Sequence, residues 1–265
     1  MRPVTAIALL LGLIGLAACA PGPTTAIPGA PSLTGSSEAH IPPFAKAPYQ
    51  PFSREAAVQI AYREWRAFGQ VVVYPHQELP FDREREEGMW QRVGEYWWLG
   101  LPLGWREAAY TGVHDENGRV FSDREDANFA WSAAFIDYVM RMAGAGRRFP
   151  YSPTHSDYIN AARQRGGAGS DIAITAERPE TYPPQRGDLI CMWRGKQQIR
   201  YDDLPADRFP GHCDLVVATG SGAIDVIGGN VDNSVSMKHV PVAADGRLND
   251  TDYPWFVILR VQYDR

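Results

Sequence analysis

Three polar residues have the types and positions expected of a nucleophilic site: Ser132, His212 and Asn230. Ser132 stands near the start of the apolar segment NFAWSAAFIDYVMRMAG, residues 128–144. The start of a helix has free N–H groups and a partial positive charge, which stabilise a nucleophile's anion and a reacting oxyanion. Serine is also a preferred N-cap, so Ser132 has a purely structural interpretation as well. A base held nearby would favour the catalytic one.

His212 is the candidate base, and Asn230 is the candidate for orienting it. His212 opens the segment HCDLVVAT directly after Gly211, and the next apolar segment ends in GGN, which places Asn230 in a glycine turn. Antiparallel pairing of the two segments would return Asn230 to the side of His212, where it could hold one imidazole nitrogen. Taken singly, the histidine would be a surface or hydrogen-bonded residue and the asparagine a turn cap.

The elements that must position these residues follow from the spacing of apolar side chains. Helical spacing predicts helices in SREAAVQIAYREWRAFG, MWQRVGEYWWLG, the Ser132 segment and SDYINAARQR. The Ser132 helix should be central and buried, because its only charges are Asp137 and Arg141, which are spaced to pair. After residue 184 the pattern becomes strand-like, over residues 187–193, 212–219, 223–229, 234–242 and 255–263. Helices followed by an antiparallel sheet of about five strands predict the α+β class.

Four short motifs occur in order along this region. They are WSAAF (131–135), PQRGDLI (184–190), GHCDLV (211–216) and GGN (228–230). Their order resembles papain-like cell-wall hydrolases of the CHAP (cysteine, histidine-dependent amidohydrolase/peptidase) and NlpC types. The blocks FAWSAAFIDYVMRMAGAG and FPYSPTHSDYINAA most resemble the domain of unknown function 2272, over about residues 55–263.

This resemblance implies a papain-like fold and assigns roles by position. Ser132 takes the nucleophile position, His212 the base and Asn230 the orienting residue. Two departures matter: serine replaces the usual cysteine, and Gly228 stands where many CHAP domains have an acidic residue. A thiol is partly ionised near neutrality, whereas a serine hydroxyl needs a base during attack.

The reaction that the resemblance implies is cleavage of an amide bond in a peptidoglycan stem peptide. The alternatives are an inactive domain that binds peptidoglycan or an envelope partner, and an esterase or acyl-transfer enzyme.

Other residues are assigned more loosely. The candidates for the cleft wall are Trp131, His155, His114 and Tyr96.

The two cysteines of the predicted domain, Cys191 and Cys213, lie on neighbouring predicted strands. They are either a disulfide pair or two small buried side chains. Cys213 should point away from His212, because successive strand residues face opposite ways. No set of His, Cys, Asp and Glu has zinc-ligand spacing, so the sequence predicts no metal and no cofactor.

The amino-terminal residues predict export and anchoring. MRPVTAIALLLGLIGLAACA has a basic start, a short apolar run and small residues before Cys19, as a secretory signal does. LAAC (16–19) resembles the bacterial lipobox, which implies removal of 1–18, a lipid on Cys19 and membrane attachment, most simply at the outer membrane facing the periplasm. A plainly secreted protein or a short anchor helix are the alternatives. Residues 19–52 are rich in Pro, Gly, Ser and Thr and predict a disordered tether, which leaves 53–265 as one folded domain.

The charge of the chain narrows the class of partner. The chain has a net charge of −5 and no basic run, so it lacks the positively charged surface typical of proteins that bind nucleic acids. A peptide or peptidoglycan substrate and a membrane reached through the lipid are therefore the expected partners. The sequence leaves the oligomeric state open.

Overall fold

A computed structural model describes residues 51–77 and 79–263, which lie in one compact unit. The predicted signal peptide (1–18), Cys19 and the tether up to residue 50 lie outside these residues. The helices are α1 (Arg54–Ala67), α2 (Met89–Gly100), α3 (Ser132–Met142) and α4 (His155–Arg165). Short 3-10 helices lie at Arg83–Arg85, Arg106–Ala109, Asp126–Phe129, Gly146–Arg148 and Tyr201–Asp203.

The strands form a single antiparallel sheet. They are β1 (Ile174–Glu177), β2 (Leu189–Trp193), β3 (Gly211–Thr219), β4 (Ala223–Gly228), β5 (Ser236–Pro241) and β6 (Trp255–Val261). Their order across the sheet is β1-β6-β2-β3-β4-β5. The α+β prediction is confirmed, with six strands where the sequence suggested about five. The missed strand, β1, has only four residues, too few for a period-two pattern to stand out.

The core lies between the helices and one face of the sheet. Alternate residues of β3 divide between two buried clusters: Cys213 and Leu215 pack with the helices, whereas Val216 packs in a smaller cluster on the other face. The helix α3 lies at the centre of the larger cluster, and its residues from Ser132 to Met140 are all buried. The sequence prediction of a central buried helix is therefore confirmed.

The folded part begins slightly before the predicted boundary at residue 53. Phe52 is only 2% exposed. Its ring packs on Tyr263 with centroids 4.5 Å apart. Ser53 then caps α1, because its Oγ accepts a hydrogen bond from the Ala56 N–H at 3.2 Å. Phe52 therefore belongs to the core and not to the tether.

None of the helices in residues 51–77 and 79–263 is both long enough and apolar enough to cross a membrane.

Candidate active site

Ser132 does not act as a side-chain cap for its helix. It is the first residue of α3, and Trp131 occupies the N-cap position without a side-chain capping bond. The Ser132 Oγ instead lies 2.7 Å from Nε2 of His155. The hydroxyl is therefore hydrogen-bonded to an imidazole at a helix N-terminus. An adjacent base of this kind can activate a serine as a nucleophile.

His155 supplies the imidazole that lies beside Ser132. It is the first residue of α4, and its Nδ1 forms a hydrogen bond with the Tyr158 hydroxyl. Burial lowers the pKa of His155 well below its usual value, and neighbouring His212 and Arg194 act in the same direction. The ring is therefore neutral near pH 7. When Nδ1 donates to the Tyr158 hydroxyl, Nε2 presents its lone pair to the Ser132 O–H.

A buried carboxyl group connects α3 to the loop that precedes α4. The Oδ2 of Asp137 accepts a hydrogen bond from the Ser152 N–H at 2.9 Å, and the Ser152 hydroxyl donates to Asp157 at 2.8 Å. The expected pair between Asp137 and Arg141 does not form, since Arg141 donates to the Gly100 carbonyl at 2.9 Å. The connection from Asp137 fixes the start of α4 against the middle of α3.

His212 has a different partner from the one expected. Its Nε2 lies 2.8 Å from Oδ1 of Asp214, and the second oxygen of Asp214 accepts a hydrogen bond from Lys238 Nζ at 2.7 Å. The Nδ1 of His212 is buried and has no hydrogen-bond partner among the residues the structure describes. Neither ring nitrogen therefore bonds Asn230 or Ser132. The expected Ser132–His212–Asn230 arrangement was wrong in both of its contacts.

The geometry of β3 explains the exchange of partner. His212 and Asp214 are two residues apart on one strand, so their side chains share a face. Gly228 on β4 leaves the space that Asp214 fills, because a Cβ at position 228 would lie 1.8 Å from the Asp214 Oδ1. A carboxylate from the neighbouring strand, that of Asp214, therefore occupies the space beside position 228. Asn230, with φ of 52°, lines the cavity instead.

The electrostatics of this buried group keep the imidazole neutral. Burial lowers the pKa of His212 to about 4; Asp214 opposes this shift, whereas Arg194 and Lys238 add to it. Burial alone would raise the pKa of Asp214, but Lys238 and His212 hold it below its usual value. Near neutral pH the cluster therefore contains an ionised Asp214 paired with Lys238, beside a neutral His212.

Ser132 and His155 open onto a cavity of about 830 Å³. Its polar lining also includes Thr154, Arg194, Asn230, Asp232, Lys238 and Tyr253. Ser132 itself is 5% exposed, so a substrate must enter this cavity to reach it.

Of the four side chains suggested for the cleft wall, only His155 lines the cavity. Tyr96 is buried in the core, where its hydroxyl donates to Glu64 at 2.6 Å. His114 packs edge-on against Trp90 with ring centroids 4.9 Å apart. The indole of Trp131 is buried and donates to Glu84. Tyr96, His114 and Trp131 therefore contribute to packing and do not form part of the cavity wall.

Glu84 is a buried residue of the site region that the sequence did not single out. It is only 2% exposed, and burial raises its pKa to about 8. Its partner, Trp131, directly precedes Ser132. The segment DREREEG (82–88) looks like a solvated charge run, and nothing in its pattern marks one glutamate as buried.

Asp214 and Lys238 were also missed, although a signal for Asp214 exists. The motif GHCDLV puts Asp214 two residues after His212, and that spacing on a strand brings the two side chains onto one face. Lys238 could not be inferred this way, because its position depends on the register of β5 against β4, where it is paired with Val226.

Cys191 and Cys213 form a disulfide between β2 and β3. They are direct register partners, with Cα atoms 4.1 Å apart. The bond lies on the helix-facing side of the sheet, opposite to His212 and Asp214. Neither cysteine is therefore available as a nucleophile.

One group of carboxylates in the described ranges is close enough to suggest a cation site: Asp82, Asp123 and Asp126. Arg85 forms ion pairs with all three, at 3.3, 3.1 and 2.5 Å respectively. The guanidinium already supplies the positive charge, so these residues give no reason to infer a metal.

The fold and these contacts can be set beside known proteins. Residues 84–261 match the family model described as an uncharacterised protein conserved in bacteria, domain of unknown function 2272. The chain belongs to this family. The match includes Ser132, His155, His212 and Asp214, and it confirms the resemblance to this family. No curated protein and no solved structure matches the chain.

Proposed function

We propose that this member of the domain of unknown function 2272 family is a serine-dependent hydrolase of the bacterial envelope, acting on amide bonds of peptidoglycan stem peptides. Ser132 is the nucleophile and His155 its general base. The observation that carries this proposal is the 2.7 Å contact between the Ser132 Oγ and the His155 Nε2 at the wall of a cavity.

The contact has the features of a nucleophile–base pair. A neutral imidazole can take the hydroxyl proton as Oγ attacks a carbonyl carbon, and it can then return that proton to the leaving amine. The hydrogen bond to Tyr158 keeps the ring of His155 in position, much as a third residue does in other serine enzymes. The base in this proposal is therefore His155, not the His212 expected from the resemblance.

The start of α3 suits the charge that forms during attack. The first intrahelical hydrogen bond runs from the Phe135 N–H to the Trp131 carbonyl. The N–H groups of Ser132, Ala133 and Ala134 are therefore left without helical acceptors. These donors and the helix dipole would stabilise an oxyanion next to Ser132.

The fold supports a papain-like relationship in one respect. The nucleophile begins a buried helix that packs on an antiparallel sheet, and a histidine stands on a neighbouring strand of that sheet. Together with the cell-wall motifs, this arrangement favours a stem-peptide amide as the substrate. The disulfide and the exported, lipid-anchored amino terminus expected from the sequence favour an oxidising compartment such as the periplasm.

The test is release of soluble fragments from purified peptidoglycan, followed by chromatography and mass spectrometry. The wild-type protein should release peptide fragments, and Ser132→Ala should abolish release. Ser221→Ala, at an exposed turn serine, is the matched control and should retain full activity. Wild-type protein that sediments with peptidoglycan but releases nothing would refute the hydrolase and leave a binding domain.

A further inference from the structure

His212 has one ring nitrogen whose chemistry is unaccounted for. Its Nε2 faces an ionised carboxylate, which can only accept, so Nε2 carries the ring proton. Nδ1 must then hold a lone pair. This acceptor is buried and has no partner among residues 51–77 and 79–263. A buried polar atom without a protein partner is normally satisfied by an ordered water.

The surroundings place the ring of His212 next to the pair formed by Ser132 and His155. The rings of His212 and His155 have centroids 5.4 Å apart. Gly211, which precedes His212, and Lys238, which holds its carboxylate partner, both line the cavity. His212 therefore stands directly behind the cavity wall that contains Ser132.

Four charged or titratable groups face His212 from the elements around it. They are Asp214 on β3, Lys238 on β5, Arg194 just after β2, and His155 on α4. Lys238 and Arg194 offset the pull of Asp214 on a proton at His212. The result is a neutral imidazole that is held in one orientation by a carboxylate, as an acceptor of protons must be.

We infer that His212 is a second base of the site, and that its Nδ1 binds and activates the water that hydrolyses the acyl–Ser132 intermediate. Asp214 and Lys238 are positioning residues that act through His212. This inference rests on the proposed function, because it requires Ser132 to form an acyl-enzyme.

The step divides the two half-reactions between two histidines. In the first, His155 takes the Ser132 proton and delivers it to the leaving group as the acyl bond to Oγ forms. In the second, water adds to the acyl carbon while one of its protons moves to Nδ1 of His212. The intermediate then collapses: the bond from carbon to Oγ breaks, and Oγ recovers that proton from Nδ1. The acid product leaves, and both histidines are neutral again.

A burst experiment with p-nitrophenyl acetate measures the two half-reactions, acylation and deacylation, separately. Release of p-nitrophenol reports acylation in the first turnover and deacylation in the steady state. His212→Gln should retain a burst of one equivalent, while its steady-state rate falls by at least about tenfold, consistent with loss of a general base. His239→Gln is the matched control, because His239 also pairs with an aspartate, Asp225, at 2.7 Å but on the exposed surface. It should behave as wild type.

Lys238→Met provides a readout that a structural role would not give. Without the lysine, Asp214 would raise the pKa of His212 from about 4, so the acid limb of the steady-state rate should move to higher pH. The acid limb of the burst rate should stay in place. An equal loss at every pH would assign Lys238 a merely structural role and contradict the inference.

The outcomes separate the two proposals. A wild-type burst that Ser132→Ala abolishes supports the proposed function, and its persistence in Ser132→Ala refutes it. If wild type shows that burst, equal slowing of the burst rate and the steady-state rate in His212→Gln overturns the assignment of His212 to the second half-reaction. Nitrogen NMR gives a check without turnover: a proton on Nδ1 of His212 at pH 7 would overturn it as well. If mass spectrometry finds no acetyl group on Ser132 after p-nitrophenyl acetate treatment of either wild type or His212→Gln, both proposals are refuted together.

Discussion

Substituting Gly228 with alanine should disable the His212 group through one added methyl. A Cβ at this position would lie 1.8 Å from the Asp214 Oδ1 and 3.0 Å from the His212 Nε2. Ordinary contacts of a Cβ begin at 3.4 Å, so the carboxylate would have to move by well over an ångström. It has no direction in which to do so freely, because Asp214 is fully buried and is held at both oxygens.

The size of the effect follows from what that displacement breaks. Overpacking a core by one methyl costs about 1–3 kcal/mol. Separating a buried ion pair costs about 3–5 kcal/mol, because it leaves uncompensated charge, here on Lys238 and Asp214. Since the structure can relax in part, we expect Gly228→Ala to lower the free energy of unfolding by about 3 kcal/mol. In the variant that still folds, His212 loses its acceptor at Nε2.

Urea denaturation followed by tryptophan fluorescence measures the first effect, and nitrogen NMR of the histidine rings measures the second. Gly220→Ala is the control, because this turn glycine is exposed and an added Cβ would meet only the Ala223 carbonyl at 3.3 Å. It should change stability by less than about 1 kcal/mol. If Gly228→Ala is as stable as Gly220→Ala and keeps the His212 proton on Nε2, the placement of Asp214 beside Gly228 is wrong.

Three further predictions concern other parts of the site. Ser132→Cys should release stem-peptide fragments at least as fast as wild type, because a thiol is partly ionised near neutrality; fragment analysis showing no release would contradict a nucleophile at this position. Glu84 has a folded-state pKa raised to about 8 from 4.5, so it stabilises the fold below pH 4.5 and that stability is lost as pH rises toward 8. Wild type should therefore lose roughly 5 kcal/mol relative to Glu84→Gln across this range in urea titrations, whereas parallel curves would refute the buried, protonated glutamate. Reduction of the bond between Cys191 and Cys213, which are 22 residues apart, should lower stability by about 3 kcal/mol in the same assay, and an unchanged midpoint would contradict the disulfide.

The architecture was largely accessible from the sequence because it depends on local periodicity. The change from helical to alternating spacing near residue 184 located four helices and five of the six strands. The central place of α3 followed from its having only two charges. The pairing of those two charges did not follow, because Asp137 and Arg141 each find backbone partners on other elements.

The site was accessible only in part because its contacts cross between elements. Helix-start chemistry and motif order single out Ser132 and His212 as candidates, whereas the sequence suggests His155 only as a residue of the cleft wall. Its contact with Ser132 depends on how α4 is held against α3, which no spacing encodes. The position of Asp214 could have been predicted, because the alternation that turns Cys213 away from His212 also puts Asp214 on the same face as His212.

The two consecutive glycines at the end of β4 explain how both halves of the site come together. A Cβ at Gly229 would lie 2.5 Å from the Phe135 Cβ and 2.8 Å from the Trp131 ring. A Cβ at Gly228 would meet Asp214 on the opposite face. One glycine therefore lets α3, with Ser132 at its start, approach the sheet closely, and the other makes room for the carboxylate that holds His212. The GGN motif is a steric requirement for both groups, and its asparagine need not touch the imidazole for the motif to matter.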